Sequence, residues 1–147
     1  MSTSAPHDLE AGRAATQPAH GKNNVDQNGI LLGQWKAGIF GCCDACVPNC
    51  LMTWCCPCIS YAQTRHRLTG SFWSSCLLFT LCAGLPILCI RGEVRDRFRI
   101  PGSCCEDVCC ACFCPTCVLA QVATHTESYT PGSCDCSPKD VLLGYNV

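Results

Sequence analysis

Residues 54–63, Trp54-Cys55-Cys56-Pro57-Cys58-Ile59-Ser60-Tyr61-Ala62-Gln63, have a shorter copy in residues 114–121, which read Cys-Pro-Thr-Cys-Val-Leu-Ala-Gln. In both stretches a Cys-Pro dipeptide is followed at the same distance by Ala-Gln, so the chain carries one short internal repeat. Pro57 suits the first turn of a helix because the N–H that proline lacks has no partner there. The first copy therefore predicts a helix through Gln63 that ends at Thr69-Gly70, with Gly70 as a left-handed cap.

The second copy falls inside another predicted helix. Ser103 and Glu106 match a capping box, so a helix begins after Ser103. Its cysteines recur at helical spacing, and Cys105, Cys109 and Cys112 form one stripe. Pro115, the proline of the repeat, is expected to kink or split this helix before Gln121.

Cysteine is the outlier of the composition, with 19 of 147 residues. Such a density is typical of secreted disulfide scaffolds. The first 29 residues, however, contain no apolar core that a signal peptidase would read, and the cysteine count is odd. We therefore expect a reducing compartment in which most thiols of residues 42–58 and 104–117 stay reduced.

The remaining composition argues against two function classes. The net charge of −1 creates no field that would attract nucleic acid, so no nucleic-acid partner is expected. A cysteine nucleophile needs a base, and only His66 and His125 lie in the predicted structured part, both expected near water at helix ends. The chain has no phosphate-binding glycine loop and no HExxH pattern. We predict no catalytic residues and no enzyme.

Three segments follow from the distribution of apolar residues. Residues 1–33 are polar and aperiodic, which predicts a disordered N-terminal tail. Residues 34–127 hold most of the cysteines and all long apolar runs, and are predicted to form a cysteine-rich, membrane-associated domain. Residues 128–147, interrupted by proline and glycine, are predicted to be a C-terminal tail.

A run of 19 residues without charge, from Phe72 to Ile90, is long enough to cross about 30 Å of hydrocarbon as one helix. Gly84 and Pro86 are expected to kink this helix, which membrane helices tolerate better than soluble ones. Phe72 and Trp73 at one end and Arg91 at the other suit the two interfaces. A buried core helix is the alternative. The fold class predicted is mainly α, a small cysteine-rich helical membrane protein with one or two hydrophobic helices, the second within residues 108–124.

Thiolate is a soft ligand that suits zinc and, by the same chemistry, cadmium. If the two repeat copies pair, they bring together a set of candidate ligands: Cys55, Cys56, Cys58, Cys114 and Cys117. Further pairs are Cys43 with Cys46 and Cys134 with Cys136, and none has the spacing of a zinc finger. Bound zinc or cadmium is therefore a possible cofactor or cargo, while packing as small hydrophobes and disulfide formation remain open for each cysteine.

The block Cys55-Cys56-Pro57-Cys58 with Gln63 five residues later resembles the placenta-specific-eight family of cysteine-rich proteins. Trp35, the Ile100-Pro101-Gly102-Ser103 stretch, Asp107, and Cys114-Pro115 with Gln121 extend the likeness over residues 35–126. The family includes plant cadmium-resistance proteins, cell-number regulators and cornifelin. The resemblance implies a small membrane protein, often at the plasma membrane.

Two functions follow from the resemblance. The first is binding, efflux or resistance towards divalent heavy metals, cadmium or zinc, by an oligomer in the lipid bilayer. The alternative is a non-catalytic membrane regulator or adaptor of cell growth or cell number. The two differ in whether the repeat cysteines must be thiolates.

Overall fold

A computed structural model of the chain describes residues 24–41, 49–82 and 85–144. The Cys43 and Cys46 pair and most of the predicted N-terminal tail lie outside the described residues. The described chain forms six helices: α1 (Leu51–Cys55), α2 (Pro57–Thr69), α3 (Trp73–Leu81), α4 (Pro86–Arg97), α5 (Cys104–Phe113) and α6 (Pro115–His125). It contains no strand within those ranges; an isolated antiparallel bridge joins Val25 and Leu31. The mainly helical prediction is confirmed.

Helix boundaries follow the local signals of the sequence. Proline occupies the first position of α2, α4 and α6. Gly70 ends α2 in the left-handed conformation, with φ of 76°, and its N–H donates to the carbonyl of His66 over 2.8 Å. Ser103 begins α5 by accepting a hydrogen bond from the Glu106 N–H over 3.2 Å. The helix after Ser103 is split at Pro115, as the sequence predicts.

The prediction of one helix from Phe72 to Ile90 with kinks at Gly84 and Pro86 is wrong, because the structure has two helices in this range. In the structure α3 ends at Leu81 and α4 begins at Pro86. Proline is well tolerated where a helix starts and poorly in its interior, so the residues after it form a separate helix. Ile90 is fully buried in that second helix, whereas Trp73 on α3 is 81% exposed.

Taken singly, no helix in the described ranges is long and apolar enough to cross a bilayer. Among the helices that the structure describes, one adjacent pair, α5 and α6, has the required length and composition when taken together, and the two meet at a bend of 118°.

The core is built mainly on α4 and α6. Their buried side chains share one cluster with chain segments from both ends of the domain: Ile87, Ile90 and Val94 from α4, Phe98 directly after it, and Val118, Leu119 and Val122 from α6. Because residues at i, i+3, i+4 and i+7 share a helix face, each helix presents one apolar stripe to the other. The uncharged first half of α4 is therefore part of the protein core rather than part of a long apolar helix.

Two irregular segments that the sequence assigns to tails pack on this core. Ile30 and Leu142 are 2% and 3% exposed and belong to the main cluster. The N–H of Gly33 donates to the Phe98 carbonyl over 2.9 Å, and the N–H of Leu142 donates to the Arg67 carbonyl over 2.8 Å. Residues 24–33 and 128–144 thus contribute backbone hydrogen bonds and apolar contacts to the domain.

Candidate functional site

The two copies of the repeat lie side by side. Near the ends of α2 and α6, the Arg67 Nε donates to the Thr126 carbonyl over 3.1 Å, and the hydroxyls of Thr64 and Ser128 are 3.1 Å apart. At the opposite end, Pro57 and Pro115 line one groove of about 400 Å³. The two helices therefore run in the same direction, and both Cys-Pro turns lie at one end of the molecule.

The glutamines of the repeat perform matching roles. Gln63 and Gln121 are 3% and 4% exposed. The Gln63 amide donates to the carbonyls of Asp135 and Ser137 over 2.8 and 3.1 Å. The Gln121 amide donates to the Ala37 carbonyl over 2.9 Å. Each glutamine thus satisfies backbone carbonyls of an irregular segment and holds that segment against its helix.

The predicted ligand cysteines have different surroundings. Cys55 is exposed, and Cys56 and Cys58 are half-buried free thiols. Cys114 and Cys117 are joined by a disulfide with Cα atoms 5.3 Å apart. The described residues contain no group of three or more His, Cys, Asp or Glu side chains placed to hold a metal ion. The assignment of these cysteines as metal ligands stays a prediction, and the expectation of reduced thiols does not hold for the Cys114 pair.

Cys58 lies against α3 rather than against the second repeat copy. Burial and then the neighbouring Cys58 thiol raise the pKa of Cys76. Cys58 and Cys76 both line a groove of about 710 Å³, and His66 and Cys136 line it as well. The Nδ1 atom of His66 is buried and has no hydrogen-bond partner among the described residues. This groove thus gathers soft side chains that the sequence does not connect.

Exposed thiols are concentrated on α5. Cys105, Cys109 and Cys112, the stripe expected at i, i+4 and i+7, are all exposed free cysteines. We call these three residues the α5 thiol row. Because the spacing returns to one helix face, the row presents soft donors along a single side of α5.

A buried charge network behind this helix was missed by the sequence analysis. Asp107 accepts from the Nε of Arg91 through one oxygen and from the Nε of Arg95 through the other, each over 3.0 Å. Arg91 also donates to the Gln121 side-chain oxygen. Its guanidinium carbon lies 4.8 Å from the centre of the Trp35 ring, within the range of a cation–π contact. The network therefore joins α4, α5, α6 and the segment before α1.

The expectation that Arg91 faces an interface at the end of a membrane span is therefore wrong, because its side chain is buried. The sequence contains one indication that Arg91 is buried. Arg91 lies between Ile90 and Val94, and helical spacing places all three on the buried face of α4.

The expectation that His125 lies near water is wrong as well. His125 is fully buried between Trp35 and Phe98, whose rings meet it edge-on at 5.3 and 4.8 Å. Burial, and then the positive charge of Lys36, lowers the pKa of His125 to about 4. Its Nδ1 accepts the backbone N–H of Lys36 over 3.2 Å, so the ring is neutral at physiological pH.

The uncharged surface of α3 is largely exposed. Trp73, Leu77 and Leu81 recur every fourth residue and are 81%, 60% and 74% exposed. Trp54 on α1 and Phe113 at the end of α5 are also more than two-thirds exposed, at 72% and 79%. Isolated exposed apolar side chains are ordinary, but a helix face made of them marks a surface that binds a partner or a bilayer.

Known proteins similar to this chain share its cysteine-rich part. The sequence profile of the PLAC8 family matches residues 35–125. Protein PLANT CADMIUM RESISTANCE 9 of Arabidopsis thaliana is 27% identical over 140 residues, 86% of this chain and 84% of the relative. Cornifelin homolog A of Xenopus laevis is 34% identical over 95 residues, 65% of this chain and 79% of the relative.

A further relative is Cell number regulator 9 of Zea mays, which is 29% identical over 102 residues, 63% of this chain. The alignment spans 58% of that protein's length. No solved structure matches the chain.

Proposed function

Because the chain belongs to the PLAC8 family, we propose that it is a small membrane-attached protein that binds cadmium or zinc through cysteine thiolates. In this role it takes part in resistance to these metals or in their efflux, as a homo-oligomer at the plasma membrane. The names of its relatives support the metal part, since Protein PLANT CADMIUM RESISTANCE 9 aligns with most of the chain.

The observation that carries the proposal is the exposure of free thiols. Free cysteine is usually buried as a small hydrophobe. In the described part of this chain eight free cysteines are exposed: Cys55, Cys89, Cys104, Cys105, Cys109, Cys112, Cys134 and Cys136. Accessible thiols are soft donors for cadmium and zinc, and this function gives a reason for their number.

The α5 thiol row supports the oligomer. A tetrahedral zinc or cadmium site needs four donors, and one face of one helix supplies three sulfurs in a line. A second copy that presents the same face completes the set by two-fold symmetry. The metal would then lie between chains, with two neighbouring cysteines of the row from each chain, such as Cys109 and Cys112, as its four donors.

The exposed face of α3 supports attachment to the bilayer. Its apolar side chains carry no charge between them, and burying a leucine or tryptophan in hydrocarbon is favourable by about 1.5–3 kcal/mol per side chain. A helix with such a face lies in the interfacial plane of a membrane. Lipid is thus the partner that this surface fits.

The test is cadmium bound by the reduced, full-length protein in detergent, together with cadmium tolerance of cells that produce it. Two variants test the two sets of candidate ligands separately. One carries serine at the three positions of the α5 thiol row. The other carries serine at the repeat cysteines, Cys55, Cys56, Cys58, Cys114 and Cys117. A control variant carries serine at Cys82, a half-buried free thiol that belongs to neither set.

We expect the control to bind as much cadmium as the wild type, and the α5 variant to lose most of the bound metal and tolerance. If both helix variants retain metal and tolerance at unchanged membrane abundance, thiolate binding is wrong.

The second candidate is a non-catalytic membrane regulator of cell number. It is favoured by the arrangement of the predicted ligands, because Cys114 and Cys117 share a disulfide and Cys58 lies against Cys76. In that case the cysteines act by packing and bridging, and the serine variants change cell number in proportion to their loss of stability.

A further inference from the structure

The Cys114–Cys117 disulfide lies at the start of a helix. Cys114 is the N-terminal cap of α6, an 11-residue helix, and Cys117 lies in its first turn. The Cys114 sulfur accepts the backbone N–H of Cys117 over 3.3 Å. The Thr116 hydroxyl is 3.5 Å from the same sulfur and is the donor, since a disulfide sulfur carries no proton.

This environment favours the thiolate form of Cys114 when the bond is reduced. Unpaired N–H groups and the helix dipole place partial positive charge at the first turn, and both stabilise an anion there. A Cys-x-x-Cys pair in this position is a reactive pair, because the thiolate is the nucleophile in disulfide chemistry. Cys117 makes no hydrogen bond through its sulfur among the described residues, so the two cysteines are chemically unequal.

A structural role explains the bond less well. The bridge spans three residues, and the stabilisation from a disulfide grows with the length of the loop that it closes. The helix that it caps is already held by Val118, Leu119 and Val122, all fully buried. Cys114 and Cys117 are both half-buried, so a small thiol can approach the bond from solvent. Their neighbours Pro115 and Thr116 line an open groove at this end of the molecule.

We propose that Cys114 and Cys117 form a thiol–disulfide exchange centre that reacts with low-molecular-weight thiols and disulfides of the glutathione type. In the reduced protein the Cys114 thiolate attacks one sulfur of the external disulfide and releases one thiolate, which leaves a mixed disulfide on Cys114. The Cys117 thiol then loses its proton to solvent and attacks the Cys114 sulfur, which releases the second thiolate. The protein loses two electrons and the external disulfide gains them; reduction follows the same steps backwards.

The first repeat copy provides the contrast within the same chain. Cys56 and Cys58 flank Pro57 at the start of α2 but are free thiols separated by one residue instead of two. No hydrogen bond to the sulfur of Cys56 is made by the described residues, whereas Cys114 accepts two. Exchange is thus assigned to the second copy alone.

The pair can be followed without interference from other cysteines. Cleavage after Phe113 and Tyr129 by chymotrypsin gives a segment, residues 114–129, whose only cysteines are Cys114 and Cys117. The full-length protein in detergent is equilibrated with mixtures of reduced and oxidised glutathione in the presence of a chelator. It is then quenched in acid and alkylated with light and heavy reagents before and after reduction.

We expect the pair to titrate reversibly between dithiol and disulfide as one two-electron couple, in the wild type and equally in a Cys56→Ser, Cys58→Ser control. A pair that remains oxidised, or remains reduced, over the whole range of mixtures overturns the proposal.

Single variants test the roles of the two sulfurs. With oxidised glutathione, Cys117→Ser is expected to accumulate a mixed disulfide on Cys114 about tenfold or more faster than Cys114→Ser does on Cys117. Equal rates, at unchanged helix content by circular dichroism, overturn the assignment of Cys114 as nucleophile. Because no metal is present in either measurement, their outcome is independent of the proposed cadmium or zinc function.

Discussion

The Nε atom of Arg91 on α4 lies 3.0 Å from the Oδ1 atom of Asp107 on α5, and both side chains are 4% exposed. The other oxygen of Asp107 accepts from Arg95. One carboxylate therefore compensates two guanidinium groups inside the domain. Removing one member of such a network leaves a buried charge without its partner, which is more damaging than losing the pair as a whole.

We expect Asp107→Asn to lower the free energy of unfolding by about 3 kcal/mol, because Arg91 stays buried and charged. Urea unfolding of the detergent-solubilised protein measures the change. Asp96→Asn is the matched control, since Asp96 approaches Arg95 only at 3.8 Å and is 79% exposed. Its effect should be below about 0.5 kcal/mol, as for surface ion pairs. Equal losses in the two variants would contradict the role given to Asp107.

His125 makes stability depend on pH. Its pKa of about 4 in the folded chain lies below the 6.5 of an unperturbed histidine. Between these values the unfolded chain binds a proton that the folded chain does not, so stability falls as pH drops from about 6.5 to about 4 and levels off below. The full contribution is at most about 3 kcal/mol.

The measurement compares urea midpoints at pH 7.5 and pH 5 for wild type, His125→Gln and His66→Gln. We expect the urea midpoint to decrease less between pH 7.5 and pH 5 in His125→Gln than in wild type. The decrease in His66→Gln should equal that of wild type. An identical pH dependence in wild type and His125→Gln would show that the histidine does not carry the effect.

Gly70 adopts the left-handed conformation that ends α2, with φ of 76°. A Cβ at this position would meet only Val141 Cγ2, at an ordinary 3.7 Å, so the backbone angle rather than a clash opposes a side chain. Gly70→Ala should therefore destabilise the domain by about 1 kcal/mol. Gly38→Ala, where a Cβ meets nothing within 4 Å and φ is not positive, serves as the control and should be neutral in thermal unfolding.

The exposed face of α3 predicts binding to neutral phosphatidylcholine vesicles. Replacing Trp73 and Leu77 with glutamate puts two charges where apolar side chains would enter hydrocarbon, and vesicle affinity should fall at least about tenfold, the equivalent of 1.4 kcal/mol. Thr130→Glu with Ser133→Glu adds the same charge at exposed positions of the C-terminal segment. Flotation of the reconstituted proteins measures bound fractions. Equal flotation of both variants would remove α3 as the attachment surface.

The sequence by itself determined the local structure. Proline, glycine and serine act within one turn of chain, because they restrict a dihedral angle or bond a neighbouring N–H, so Pro57, Gly70 and Ser103 marked helix ends correctly. The α5 thiol row followed from helical spacing in the same way. The repeat also showed which glutamines have matching positions, although it did not show what they bind.

The tertiary structure decided everything that depends on residues far apart in the chain. An uncharged run is compatible with a bilayer or a protein core, and the shared cluster of Ile87 and Ile90 with α6 residues settled that the second part of the run belongs to the core. Arg91 was expected at an interface and His125 near water, yet both are buried because residues from other elements pack on them: Asp107 pairs with Arg91, and Trp35 and Phe98 enclose His125. Which cysteines meet is likewise a property of helix packing, since Cys58 contacts Cys76 across helices while Cys114 pairs with its own neighbour one turn away.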